Sequence, residues 1–117
     1  MKQRMDGKAG APAAWQELTP GGIITEAGNS VAYETGTWRS WKPIWNKEAC
    51  THCLTCWVLC PEEAIGLVDG ATAAGKGRKQ IAGIDYYFCK GCGLCVRECP
   101  VNKKGKAAPL TFVRDEK

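Results

Sequence analysis

The chain lacks any long apolar run. No stretch of its 117 residues approaches the roughly 20 apolar residues of a membrane span, so no transmembrane helix is expected. No secretory leader is expected either. Met1-Lys2-Gln3-Arg4 supplies charge, but no apolar segment follows before Trp15, and the expected location is the cytoplasm. Concentrated charge is also absent. Sixteen Lys and Arg face twelve Asp and Glu, for a formal net charge of +4. The basic residues are scattered along the chain, which argues against nucleic-acid binding. A phosphate loop is nearly spelled but not completed. Gly70-Ala71-Thr72-Ala73-Ala74-Gly75-Lys76-Gly77 places Gly77 where a magnesium-binding hydroxyl is needed, so this reads as a solvated hairpin tip.

What the chain has is cysteine. All eight fall in two copies of C-x2-C-x2-C-x3-C, each followed by proline. Cys50, Cys53, Cys56 and Cys60 precede Pro61; Cys89, Cys92, Cys95 and Cys99 precede Pro100. Thiols at i, i+3 and i+6 can curl around one compact body, and the fourth begins a segment leading away. Zinc sites usually pair two knuckles across a longer loop, and this packing is too dense for two such sites. An even cysteine count would also allow disulfides, but these are rare in the cytosol.

The runs resemble those of bacterial ferredoxins that hold [4Fe–4S] clusters. In two-cluster ferredoxins the fourth cysteine of each run serves the other run's cluster. By that resemblance, cluster I takes Cys50, Cys53, Cys56 and Cys99, and cluster II takes Cys89, Cys92, Cys95 and Cys60. Each half of the chain then staples the other. Eight thiolates subtract eight charges and two oxidised cluster cores return about four, so the loaded chain is near neutral. A diffusing, charge-steered electron carrier is usually strongly acidic. Near neutrality favours a fixed place in a complex.

The organisation is an extended N-terminal arm over 1–46 and a two-cluster domain over 47–117. Residues 1–22 are rich in Gly, Ala and Pro and cannot bury a core. Residues 23–46 are dense in aromatics, with Tyr33, Trp38, Trp41 and Trp45. They need a surface to cover: either the cluster domain or another subunit, where Trp is enriched. The expectation favours the subunit. In the cluster domain, strands are expected at Ile65–Val68, Gln80–Tyr86 and Leu110–Val113. A helical turn is expected at Glu62–Ile65 after Pro61, with a poorer one after Pro100, where Gly105 and a charge run intervene. The fold class is α+β, with a pseudo-twofold repeat.

Smaller signals surround the clusters. His52, the only histidine, and Lys90 are expected to occupy equivalent places beside clusters I and II. A cationic neighbour favours the reduced cluster and raises its potential. Lys90 stays charged, whereas a titrating His52 makes cluster I alone sensitive to pH. Gly91 and Gly93 either let backbone N–H groups approach the cluster sulfides or serve simple turns. Trp57 is expected to pack against a cluster.

A more specific resemblance lies in Tyr33-Glu34-Thr35-Gly36-Thr37-Trp38-Arg39, Lys42-Pro43-Ile44, Lys47-Glu48-Ala49-Cys50 and Asp85-Tyr86-Tyr87-Phe88-Cys89-Lys90-Gly91-Cys92-Gly93-Leu94-Cys95. Together with Gly21-Gly22-Ile23-Ile24 upstream, these are similar to the delta subunit of 2-oxoacid:ferredoxin oxidoreductases, of the pyruvate synthase type. The resemblance covers about residues 20–101. It implies alpha, beta and gamma-type partner subunits. Thiamine diphosphate, with Mg, sits on those partners and not on this chain, which has no catalytic residue of its own. It further implies a ferredoxin or a flavin/NAD-linked subunit as electron acceptor. The residues alone leave open a free-standing two-cluster ferredoxin, or the cluster subunit of another oxidoreductase.

Overall fold

The computed structural model describes residues 14–70, 77–105 and 107–116. Residues 1–13, and residues 71–76 of the near-phosphate loop, lie outside the described residues. The chain divides into two compact units, Met1–Glu34 and Thr35–Lys117. The division thus falls well before the boundary expected between 46 and 47.

In the first unit the described residues form short 3₁₀ turns at Trp15–Glu17, Pro20–Gly22 and Asn29–Ala32, none with a buried residue. Trp15, Ile23, Ile24 and Val31 are all more than half exposed. Turns of this length bury too little apolar area to form a core.

The second unit opens with a 3₁₀ turn at Thr35–Trp38 and then strand β1, Trp41–Trp45. Helix α1 is Thr55–Leu59, β2 Ile65–Asp69, β3 Lys79–Ile84, α2 Leu94–Glu98, α3 Pro100–Lys103 and β4 Leu110–Arg114. Two antiparallel pairs result: β2 with β3 as a hairpin, and β1 with β4 across the length of the unit. Trp41 faces Arg114 and Trp45 faces Leu110 in the second pair; Ile65 faces Ile84 in the first, with an irregularity at Gly66/Leu67. Helices α1 and α2 pack on each other between them. The core is thin. Ala64, Ile65, Ile81, Cys99 and Leu110 are buried, with Pro43 and Pro109 fully enclosed. A core this small needs reinforcement from something other than side-chain packing.

The part of the aromatic segment from residue 35 onward makes contacts within its own unit, although Trp38 and Trp41 remain exposed. Trp41 stacks on Phe112 with centroids 5.7 Å apart. Pro43 sits mid-strand, which is tolerated because a two-stranded ribbon leaves each strand one unpaired edge. Its carbonyl accepts the Tyr86 hydroxyl at 2.7 Å. Arg39 ties the ends together. Its Nη1 donates to the carbonyls of Gly36 at 2.8 Å, Tyr86 at 2.5 Å and Cys89 at 3.2 Å. Its Nε lies 2.6 Å from Asp115, a close ion pair whose N–H is not aligned as a hydrogen bond.

The helical expectations reverse. The turn predicted at Glu62–Ile65 does not form, because Glu63 has φ 50°, in the left-handed region, and Ala64 is already buried at the entry to β2. The helix doubted after Pro100 does form. Proline suits the first helical position, and Gly105, at φ 68°, closes the helix after the cap Lys104 instead of breaking it. Asn102 pins this helix. Its amide donates to the carbonyls of Val96 at 3.0 Å and Leu110 at 2.7 Å. The predicted strands at 65, 80 and 110 are present, although the second ends at Ile84 and not at Tyr86; β1 has no counterpart among the sequence expectations.

Candidate metal centre

The eight thiols are all free and line two cavities. One cavity is walled by Cys50, Cys53, Cys56 and Cys99, with Trp45, Leu54, Ile81 and Pro109. The other is walled by Cys60, Cys89, Cys92 and Cys95, with Pro43, Ile65, Ile84, Glu62 and Lys90. Each cavity thus gathers three thiols from one run and the last from the other. The reason is local. Each run curls up to its third cysteine, which lies in the first turn of a short helix, Cys56 in α1 and Cys95 in α2, and that helix carries the fourth across to the opposite side. Because α1 and α2 pack together, Cys60 arrives beside the second run and Cys99 beside the first.

Among the described residues, no three His, Cys, Asp or Glu side chains form a group that would hold a metal ion. The thiols stand on cavity walls rather than meeting at a point, an arrangement that suits a body larger than one ion. Burial pushes the Cys56 thiol up to about 11 and the Cys95 thiol to about 12, with Cys50 and Cys89 adding repulsion. Burial likewise raises Cys89. The Thr55 hydroxyl, 3.4 Å from Cys53 Sγ, draws exposed Cys53 the other way. Metal binding must therefore displace protons from the buried thiols. Backbone N–H groups already aim at sulfur: His52 to Cys50 at 3.4 Å and Ala64 to Cys60 at 3.3 Å. Trp45, in the wall of the first cavity, has a buried indole Nε1 with no partner among the described residues.

The two runs match in backbone shape. His52 (φ 51°) and Leu54 (φ 66°) stand where the second run has Gly91 (φ 66°) and Gly93 (φ 78°). By this register Lys90 corresponds to Thr51, so the equivalence expected between Lys90 and His52 does not hold. The His52 ring is engaged as an acceptor, its Nδ1 taking the Ile81 N–H at 3.0 Å, and Trp45 meets it edge-on. Lys90 pairs with Glu62 at 2.9 Å and lies 5.1 Å from the Trp38 ring centroid. The sequence singled out neither Glu62 nor Trp45 as lining a particular cavity, because neither belongs to a ligand run. Trp57, expected against a cluster, lines neither cavity and is 37 % exposed.

Comparison with known proteins gives this geometry its family. Residues 49–103 match the 4Fe-4S dicluster domain. The chain is 40 % identical over 103 residues to pyruvate synthase subunit PorD of Thermotoga maritima, covering 88 % of this chain and 95 % of that one. It is 41 % identical over 100 residues to the subunit of the same name from Methanocaldococcus jannaschii, covering 86 % and 99 %. Ketoisovalerate oxidoreductase subunit VorD of Pyrococcus furiosus is 42 % identical over 65 residues, covering 55 % of this chain and 52 % of its own. Two four-thiol cavities on an α+β scaffold, and two PorD relatives matched over nearly their whole length, lead to one conclusion: the chain belongs to the family of ferredoxin-like delta subunits of 2-oxoacid:ferredoxin oxidoreductases of the pyruvate synthase type.

Proposed function

We propose that this chain is the electron-relay subunit of a 2-oxoacid oxidoreductase. It takes electrons released by oxidative decarboxylation on thiamine-bearing alpha, beta and gamma-type partners and passes them to an external acceptor in the cytoplasm. The observation that carries this reading is the sorting of the thiols into two cavities of four. Cys50, Cys53, Cys56 and Cys99 would hold one [4Fe–4S] cluster, and Cys89, Cys92, Cys95 and Cys60 the other. When bound, each cluster stores and releases one electron. The protein supplies placement, exclusion of water and electrostatic tuning. The cross-wise last ligand makes each loop dependent on the other, so cluster binding and folding are one event. The exposed apolar residues of the first unit, Trp15, Ile23, Ile24 and Val31, would anchor the chain on its partners.

No helix among the described residues is long and apolar enough to cross a membrane. Anaerobic isolation of the native complex, with iron and thiamine diphosphate quantified, tests the reading. Reduction of the clusters on this chain by an added 2-oxo acid, seen by EPR, is the expected result. A loaded chain that purifies alone and is reduced only by other donors would refute the assignment. Cys99→Ser should perturb the cluster of the first run, and Cys60→Ser that of the second; the opposite pattern would overturn the ligand sets.

A further inference from the structure

Trp45 is half-buried, and its indole nitrogen, which is buried, has an N–H to spare. Its Nε1 is shielded from solvent and meets no acceptor among the described residues. An indole nitrogen can only donate, and leaving a buried donor unpaired is costly enough that native structures rarely do so. The side chain is also held in place. Trp45 ends β1 opposite Leu110 of β4, and its ring meets His52 edge-on at 6.1 Å. His52 is in turn fixed by the Ile81 N–H. Trp45, Ile81 and Leu110 all line the cavity walled by Cys50, Cys53, Cys56 and Cys99. Among the described residues no Lys, Arg, Asp or Glu side chain lines that cavity, whereas the other has Lys90 and Glu62. The two sites are therefore built with different means of offsetting an added electron.

We propose that Trp45 donates its indole N–H to a sulfur of the cluster held in the first cavity, and thereby raises that cluster's reduction potential. A hydrogen bond to sulfur strengthens as the cluster gains negative charge, so it favours the reduced form. The inference rests on the cluster assignment of the preceding section. One electron is taken up per cluster in the test, supplied by a chemical reductant.

The experiment uses the full chain in its native, iron-loaded complex, with indole nitrogens labelled as 15N. Pulsed electron–nuclear double resonance on the reduced clusters should show one indole 15N coupling, with one exchangeable proton beyond those of the backbone N–H groups that already face sulfur. That coupling and that proton should vanish in Trp45→Phe and persist in Trp57→Phe. In potentiometric titration, Trp45→Phe should move one of this chain's midpoint potentials downward and leave the other in place. Absence of indole coupling in the loaded wild type would overturn the proposal, even where Trp45→Phe fails to fold. Coupling that survives Trp45→Phe, or unchanged midpoints in a loaded variant, would do the same. A wild-type chain without iron–sulfur clusters would overturn the relay reading itself.

Discussion

Gly91 is where the second cysteine run meets strand β1, and Gly91→Ala is the substitution whose cost can be worked out most fully. Its φ of +66° lies in the left-handed region. There a side chain costs about 1–2 kcal/mol by crowding the following carbonyl. An added Cβ would also stand 1.9 Å from the Trp41 carbonyl oxygen, 3.0 Å from the Trp41 carbonyl carbon and 3.1 Å from Arg39 Cβ. Backbone cannot yield as a flexible side chain can, so β1 must move off the loop, a further strain of about 1–3 kcal/mol. The total, about 2–5 kcal/mol, is a large share of what a small domain possesses. Gly93→Ala provides the control. It shares the left-handed φ, at +78°, but its nearest neighbour is the Phe112 ring at 3.5 Å, an ordinary contact. It should therefore cost only the backbone penalty of about 1–2 kcal/mol. Both variants would be loaded anaerobically and unfolded in guanidinium, following the charge-transfer absorbance of the clusters. Gly91→Ala should lose its clusters at clearly lower denaturant than Gly93→Ala. Equal midpoints would mean that the close approach of Trp41 contributes nothing, and the reasoning would fail.

Charge beside the second cavity yields another test. Lys90→Met should lower one cluster potential and Glu62→Gln should raise the same one, because the first removes a cation and the second frees it. Potentiometric EPR that shows both shifts in one direction would refute this. Asn102→Asp replaces an amide donor with an acceptor facing the carbonyls of Val96 and Leu110. It should destabilise the loaded protein by about 2–4 kcal/mol, measured by denaturant midpoint; a neutral effect would remove Asn102 as the pin of α3. Asp115 is held below the usual carboxylate range by the Lys42 hydrogen bond and by the Arg39 guanidinium, with burial opposing. A depressed folded value contributes stability above the ordinary value near 3.8 and loses it as pH falls through the folded one. Asp115→Asn should thus lower thermal stability at neutral pH, with the gap to wild type closing in acid. A gap independent of pH would assign the effect to packing.

How much of this was legible in the residues differs from element to element. The strands at β2, β3 and β4 announce themselves by β-branched and apolar residues between turn signals. Strand β1 does not, because Pro43 interrupts it and its tryptophans follow no period; pairing with β4, far along the chain, decides its conformation. The helical turns misled for a related reason. Glu62-Glu63-Ala64-Ile65 has good local propensity, but Ala64 must reach the core beside Cys60 and the chain turns through a left-handed Glu63 to bring it there. Local preference amounts to a few tenths of a kcal/mol per residue and yields to burial.

The cysteine spacing by itself determined the chemistry, since four thiols within eleven residues, twice over, constrain what can be bound before any fold is known. Tertiary structure alone decided what surrounds the thiols. It placed the uncharged first cavity against the indole of Trp45, and the second against the Lys90–Glu62 pair. It also joined the aromatic segment from 35 onward to its own domain, where Trp41 stacks on Phe112. Ligand spacing is a short-range property of the backbone and can be read directly. Hydrogen bonds and charges around a cluster come from residues distant in sequence, brought within a few ångströms only when the two halves close on each other.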